Sequence, residues 1–255
     1  MNDKDVLMEF LKMPLGGTDE VFDKFSKISG AEVHGSGLKK FLFIKGSRKN
    51  RVLLAAHADT YWDKAYGGCN SSNGEPGEIY EEDGIIRNRN GGLGADDRAG
   101  CAIAWLLKDL GHSILITSGE EQGRQGSNYL VRSHPGIREE INRNHRFVVQ
   151  FDRRNARDFK CYSVGTDMFR EYVKGKTGSY DRKNKSFCEP DKRSATDIVT
   201  LCESVCEVNL SVGYKGEHTT EECLVIEDWE NTLDLSRKWF SEPDIPRFDL
   251  PSPRG

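Results

Sequence analysis

The residues best suited to chemistry stand where apolar runs stop. "RVLLAAHAD" ends in His57 and Asp59, "GLGADD" carries Asp96 and Asp97, "LITSGEE" ends in Glu120 and Glu121, "VVQFD" in Asp152, and "LSVGYKGEH" in His218. Neutral imidazole and carboxylate are the donors that divalent ions of borderline softness accept, and a shared carboxylate can hold two such ions about 3.5 to 4 Å apart. Two histidines and three carboxylates would serve that pair. Three carboxylates and one hydroxide also balance the charge of two divalent ions. A carboxylate left uncoordinated beside the ions can work as a general base. Residues i and i+2 of a strand face the same way, so Asp59 can lie behind His57 and orient its ring.

Each of these residues also has an ordinary explanation. Asp96 or Asp97 can cap the helix that opens at "AGCAIAWLL", and an acid there suits the positive end of the helix dipole. "SGEE" (118–121), "SATD" (194–197) and "TTEE" (219–222) all fit the capping box. A single chemistry that uses the whole set at once is what favours the metal reading. His34, His112, His134 and His145 have no such setting and read as structural.

The elements that must position these groups alternate along the chain. Val6, Leu7, Phe10 and Leu11 have helical spacing and end at "PLGG"; Val21, Phe22, Phe25 and Ile28 mark a second helix. "FLFIKG" and "RVLLAAH" read as strands joined by "SRKN", followed by a long polar segment over 61–93 that reads as a loop and a possible lid. A helix over 97–110, the strand "SILITS", a helical stretch broken near "HPG" and the strand "FVVQFD" come next. "CYSVG" and "FREYV" are strand candidates, "SATDIVTLCESVC" looks helical, "EVNLSVG" extended, and 219–240 forms a last amphipathic helix. This alternation predicts an α/β fold, a three-layer sandwich with a mixed, largely parallel central sheet whose ligand sites gather beyond the C-terminal strand ends. Residues 1–240 read as one catalytic domain, and 241–255 as a proline-rich tail, extended or disordered.

Composition narrows the function classes. Net charge is −4, with 31% charged and 36% hydrophobic residues, so no overall field argues for nucleic acid or an anionic membrane. The basic stretches are interleaved with acids and read as solvated faces. No segment reaches the roughly 18 apolar residues needed to span a bilayer, and the start lacks a signal-peptide pattern, so a cytosolic location is expected. Seven cysteines with no C-x-x-C pair, Cys202 and Cys206 among them, read as buried thiols. There is no P-loop, H-E-x-x-H or G-x-S-x-G, and "GLGADD" lacks the third glycine of a dinucleotide loop.

"AAHADT", "LGADDRAGCA", "TSGEEQG", the aspartate of "QFD" and the histidine of "EHTTEE" occur in the order found in two-zinc exopeptidases. Over roughly residues 5–240 the sequence resembles this superfamily of aminopeptidases, tripeptidases and related amidohydrolases. The resemblance implies that His57, Asp96 and Asp152 hold one zinc and that Asp96, Glu121 and His218 hold the other, with Asp96 as the bridge. It implies Glu120 as general base, Asp59 behind His57, Asp97 as a non-ligand neighbour, and a cis peptide after the bridging aspartate. Asp152 and His218 are 66 positions apart (218 − 152), too few for the second domain that tripeptidases insert there, which points to the compact architecture. Asp197 keeps two readings, a helix cap or a residue near the substrate amine.

The chemistry expected is hydrolysis of a peptide bond in short peptides by an aminopeptidase. A metal-bridging hydroxide would attack after Glu120 takes its proton. Two divalent ions are implied, with zinc first and cobalt or manganese able to replace it. An N-acyl-amino-acid amidohydrolase or a carboxypeptidase is the alternative, and either needs a cation for the substrate carboxylate, such as Arg124, Arg153 or Arg154. A non-catalytic binding protein of the same fold would be expected to lack ligands, and all are present. Small peptides or N-acyl amino acids are the expected partners. The sequence leaves a homo-oligomer open.

Overall fold

The structure is a computed structural model that describes residues 2–62, 78–190 and 196–251. The chain opens with helices α1 (Asp3–Leu11) and α2 (Asp19–Ser26), whose apolar positions Val6, Leu7, Phe10, Leu11, Val21, Phe22 and Phe25 are all buried. Asn2 starts α1: its side chain accepts the Asp5 N–H at 2.7 Å, while the Asp5 carboxylate accepts the Asn2 N–H at 3.0 Å.

Strands β1 (Ala31–His34), β2 (Phe41–Ile44) and β3 (Leu53–His57) follow. Next come the hairpin strands β4 (Ile79–Glu82) and β5 (Ile85–Asn88), then α3 (Ala95–Leu106) and β6 (Ser113–Thr117). Helices α4 (Gln125–Ser133) and α5 (Pro135–Asn144) lead to β7 (Val148–Arg153), β8 (Phe159–Lys160) and α6 (Asp167–Tyr180). The chain continues through α7 (Asp197–Leu201), β9 (Glu207–Ser211), β10 (Tyr214–Lys215), β11 (Cys223–Val225) and α8 (Ile226–Phe240).

The central sheet has the order β1-β2-β6-β3-β7-β9-β8. Its inner strands β6, β3, β7 and β9 run parallel, while β1, β2 and β8 pair antiparallel at the edges. Alternation along each strand divides the core. Leu54, Ala56, Ile114, Ile116, Val149 and Phe151 pack with α1, α3 and α8, and Leu53, Ala55, Leu115 and Val148 face α4, α5 and α7. This is the expected three-layer sandwich, and each fully buried large apolar side chain contributes about 1.5–3 kcal/mol to it. A second, antiparallel sheet has the order β10-β11-β5-β4.

Several expectations need correction. Residues 61–93 are not one loop: β4 and β5 form a hairpin whose turn residues Asp83 and Gly84 both have positive φ, 50° and 75°. The Asp-Gly turn signal was present, but the strands beside it mix acids with apolar residues. The lid reading falls largely on residues 63–77, outside the described residues. "FREYV" lies in α6 rather than in a strand. Phe169 and Val173, four apart, are buried on one face, and the Thr166 hydroxyl accepts the Phe169 N–H at 3.2 Å. The last helix starts at Ile226, and 223–225 pairs with β5. In the "SATDIVTLCESVC" region only five residues are helical among those described.

Although extended, the C-terminal segment is docked on the body. Phe248 and Ile245 are buried, the Phe248 N–H reaches Arg146 O at 3.0 Å, and the Cys206 N–H reaches Phe248 O at 2.9 Å. The six described cysteines are free. No helix among the described residues is long and apolar enough to cross a membrane.

Candidate metal centre

The parallel strands bring the chemically able residues to one edge. His57 ends β3 and Asp152 lies near the end of β7; Glu120 and Glu121 follow β6, and His218 follows β10. His57 Nε2 stands 3.2 Å from Asp96 Oδ1 and 3.4 Å from Asp152 Oδ1. His218 Nε2 stands 2.8 Å from Glu121 Oε1 and 3.4 Å from Asp96 Oδ2. The two oxygens of Asp96 therefore face the two histidines, one each.

Asp96 and Asp97 differ by environment. The peptide between them is cis, and both depart from helical backbone at the start of α3. Asp97 accepts the His57 N–H on Oδ2 and the Gly100 N–H on Oδ1, both at 3.1 Å, so it behaves as the helix cap. Ligand-type atoms of His57, Asp97 and Asp152 also lie within 4.8 Å of one another. Both Asp97 oxygens are already committed to backbone donors, however, while the buried Asp96 Oδ1 has no hydrogen-bond partner. The helix approaches closely here: a Cβ at Gly100 would lie 2.0 Å from Phe151 O and 2.2 Å from Asp97 Oδ1.

Supporting groups surround the cluster. His57 Nδ1 lies 3.0 Å from the Asp59 carbonyl oxygen and 3.5 Å from Asp59 Oδ1. The buried Asp59 carboxylate accepts the Glu120 N–H at 3.3 Å and the Glu121 N–H at 3.2 Å. Asp152 Oδ2 accepts from Gln150 Nε2 at 2.9 Å and from Thr196 Oγ1 at 2.7 Å. "SGEE" therefore forms no capping box: its N–H groups serve Asp59, and Glu121 meets His218.

Three supports escaped the sequence reading. Gln150 is the i−2 neighbour of Asp152 on β7, and the reasoning that paired Asp59 with His57 could have found it. Tyr61 stacks on the His218 ring at 4.6 Å between centroids and 13° between planes. Glu222, placed in a capping box by sequence, instead accepts backbone N–H groups of Leu93, Gly94 and Asp96. Ser194, in the other proposed box, lies outside the described residues. Asp197 is buried at the start of α7; one oxygen accepts the Thr117 hydroxyl, and Oδ1 has no hydrogen-bond partner.

The electrostatics are those of a crowded acidic site. Burial raises the pKa of Glu120 well above the usual carboxylate value, helped by Asp152, Asp197 and Asp96 and opposed by His57. Burial likewise raises Glu121 and Asp152, and lifts Asp197 to about 6. Hydrogen bonds to Asp96 and Glu121 push His218 up to about 11. Burial pulls His57 down, but Asp152, Asp59 and Asp96 outweigh it and hold it well above its ordinary value. Protons thus compensate carboxylates that would otherwise repel one another. Divalent cations could do the same, and the imidazole and carboxylate donor set fits them.

The three arginines considered for a substrate carboxylate are all engaged. Arg124 Nη1 donates to Thr200 Oγ1 at 3.0 Å, Arg153 Nε lies 3.9 Å from Asp158 Oδ2, and Arg154 Nη1 donates to Glu217 Oε1 at 2.7 Å.

The parallel sheet, its helical layers and the acidic cluster at the strand ends define a fold of the zinc-exopeptidase type. The profile of peptidase family M28 matches residues 42–203; the chain belongs to that family and is a metallo-exopeptidase, a class that implies a divalent metal. No curated protein sequence matches it. Among solved structures, it resembles the aminopeptidase PepT of Bacillus cereus at 15% identity and TM-score 0.63, covering 92% of this chain and 97% of that one. A tripeptidase of Staphylococcus aureus is similar at 13% identity and TM-score 0.62, with 94% and 98% covered. An aminopeptidase of the archaeon Desulfurococcus kamchatkensis matches at 13% identity and TM-score 0.66, with 94% and 95% covered.

Proposed function

We propose that the protein is an aminopeptidase acting on short peptides with two divalent ions, zinc by first preference. In this reading His57, Asp96 and Asp152 hold one ion and Asp96, Glu121 and His218 the other. Bound there, such ions supply Lewis acidity toward the scissile carbonyl and lower the pKa of water toward about 7.

The chain's own residues do the rest. Glu120 accepts a proton from the attacking water and returns it to the leaving amine. Asp59 fixes the main chain of Glu120 and Glu121 and keeps the His57 ring in place, and Asp97 anchors the turn that presents Asp96. The cluster belongs to a single catalytic unit over residues 1–240, on which the C-terminal segment docks through Ile245 and Phe248.

The observation that carries the aminopeptidase reading is the surplus of acid. Beyond the three carboxylate ligands, Asp59, Asp97, Glu120 and Asp197 crowd the same strand ends. With two cations beside them these acids favour their ionised form, and such a site attracts a substrate ammonium and repels a free carboxylate, while the candidate arginines are held by other groups. Names of structural neighbours, which include aminopeptidases, agree with this reading. The Pyrococcus horikoshii peptidase TET1, another neighbour, assembles into a tetrahedron or a large octahedral shell, so self-assembly belongs to the proposal as well.

Glu120→Ala tests the mechanism. It should keep its metal and its fold while turnover drops by about 10²–10⁴-fold, whereas His57→Ala should lose both metal and turnover. Full activity of Glu120→Ala would overturn the role of Glu120. Equal rates on free-amine dipeptides and their N-acetylated forms would overturn the aminopeptidase reading.

A further inference from the structure

Glu222 is buried, lies four residues beyond His218, and takes no part in the proposed ligand set. Its Oε2 accepts the Leu93 N–H at 3.0 Å and the Gly94 N–H at 2.7 Å, and its Oε1 accepts the Asp96 N–H at 3.1 Å. These donors precede or open α3, where a helix offers its first N–H groups no acceptor of its own. Gly94 is left-handed, with φ +68°, and a Cβ there would lie 2.4 Å from Leu15 Cδ2. The turn before Asp96 is therefore held by a carboxylate from a distant segment, since Gly94 has no side chain to cap it, while Asp97 caps the helix that follows.

We propose that Glu222 is a positioning residue that sets the place of Asp96, and through it the affinity for both metal ions. The inference rests on the proposed two-metal reading. Both oxygens are required, since each accepts at least one N–H. An amide in place of the carboxylate would turn one acceptor into a donor aimed at another donor. Because Glu222 and His218 share one short segment, that segment delivers a ligand to one ion and fixes the ligand common to both. A purely structural clamp would tie 92–96 to β11 without affecting metal affinity.

The test uses the whole chain, stripped with chelator and titrated with zinc against a competing chelator, together with melting of the metal-free forms. Glu222→Gln should bind both ions about 10–100-fold more weakly, the usual effect of removing an outer support of a ligand. Glu222→Asp keeps the charge but shortens the reach and should fall between Glu222→Gln and the parent. Affinity within twofold of the parent in a folded Glu222→Gln overturns the proposal, even if its melting temperature falls; so does a loss confined to one ion. Should neither variant fold, amide exchange of the parent with and without zinc decides. Protection at Leu93, Gly94 and Asp96 that rises when zinc binds supports the coupling, and protection unchanged by zinc overturns it. A parent chain that binds no divalent ion fails the two-metal reading itself, before any variant is made, and this inference with it.

Discussion

Replacing Asp59 with asparagine removes one acceptor from a buried carboxylate that holds two backbone donors. The Glu120 and Glu121 N–H groups reach its two oxygens at 3.3 and 3.2 Å, and Asp59 has no exposed surface. Asparagine keeps one oxygen, so one of these donors is left facing an amide NH2 group. A buried donor stripped of its acceptor costs about 1–3 kcal/mol, which at about 1.4 kcal/mol per tenfold is roughly a 5- to 150-fold effect. The main-chain contact from Asp59 O to His57 Nδ1 survives the change, so His57 should stay oriented. The loss should therefore appear mainly at the two glutamates. kcat on a free-amine dipeptide should fall about fivefold or more through Glu120, and the ion held by Glu121 and His218 should bind more weakly than its neighbour. Steady-state kinetics together with a zinc titration measure both. If kcat and both affinities stay within twofold of the parent, the carboxylate does not position the glutamates and the reasoning fails.

Two further outcomes follow from other contacts. Tyr61→Ala should weaken the ion held by Glu121 and His218 by about two- to tenfold, matching about 0.5–1.5 kcal/mol for a stacked ring pair, while Tyr61→Phe should bind normally. Zinc titration of the three proteins decides, and equal weakening by both variants would assign the effect to the hydroxyl instead of the ring. Burial lowers the pKa of His112 to about 4, against an ordinary 6.5; its Nδ1 accepts the Val52 N–H at 3.1 Å. Between pH 6.5 and 4 the unfolded chain binds the proton that the folded chain refuses. Stability should therefore fall as pH drops through that window, by up to about 1.4 kcal/mol per pH unit from this residue. Denaturant titrations at several pH values should show a shallower slope for His112→Gln, and an unchanged slope would refute the assignment.

The strand ends were legible because apolar runs that stop at an acid or imidazole state both the element and the edge it reaches. His57, Glu120, Glu121 and Asp152 could be listed from the strand ends alone, whereas their division into ligands and base was only what the resemblance implied. For the Asp96 and Asp97 pair the resemblance implied the bridge and the non-ligand neighbour, and the hydrogen bonds to His57 and Gly100 add that Asp97 is the cap. Glu222 was hidden because its partners lie more than 120 positions away, and local spacing offered a capping box instead. "FREYV" misled through composition: aromatic and branched residues suggest a strand, while Phe169 and Val173, four apart, serve a helix face equally well. The β4–β5 hairpin was obscured by its acids, which face away from any large core.

The segment after β9 has a consequence for the order in which the protein becomes competent during synthesis. β11 pairs with β5, Glu222 grips the turn before α3, and the Trp229 indole N–H donates to Ala99 O at 3.0 Å, so residues near 90–100 wait for partners about 130 positions later. A nascent chain that has emerged only as far as β9 already carries His57, Asp96, Glu121 and Asp152, yet it lacks His218 and the carboxylate that seats Asp96. In the proposed two-metal reading such a chain is silent as a hydrolase until its last 44 residues (255 − 211) have folded into place.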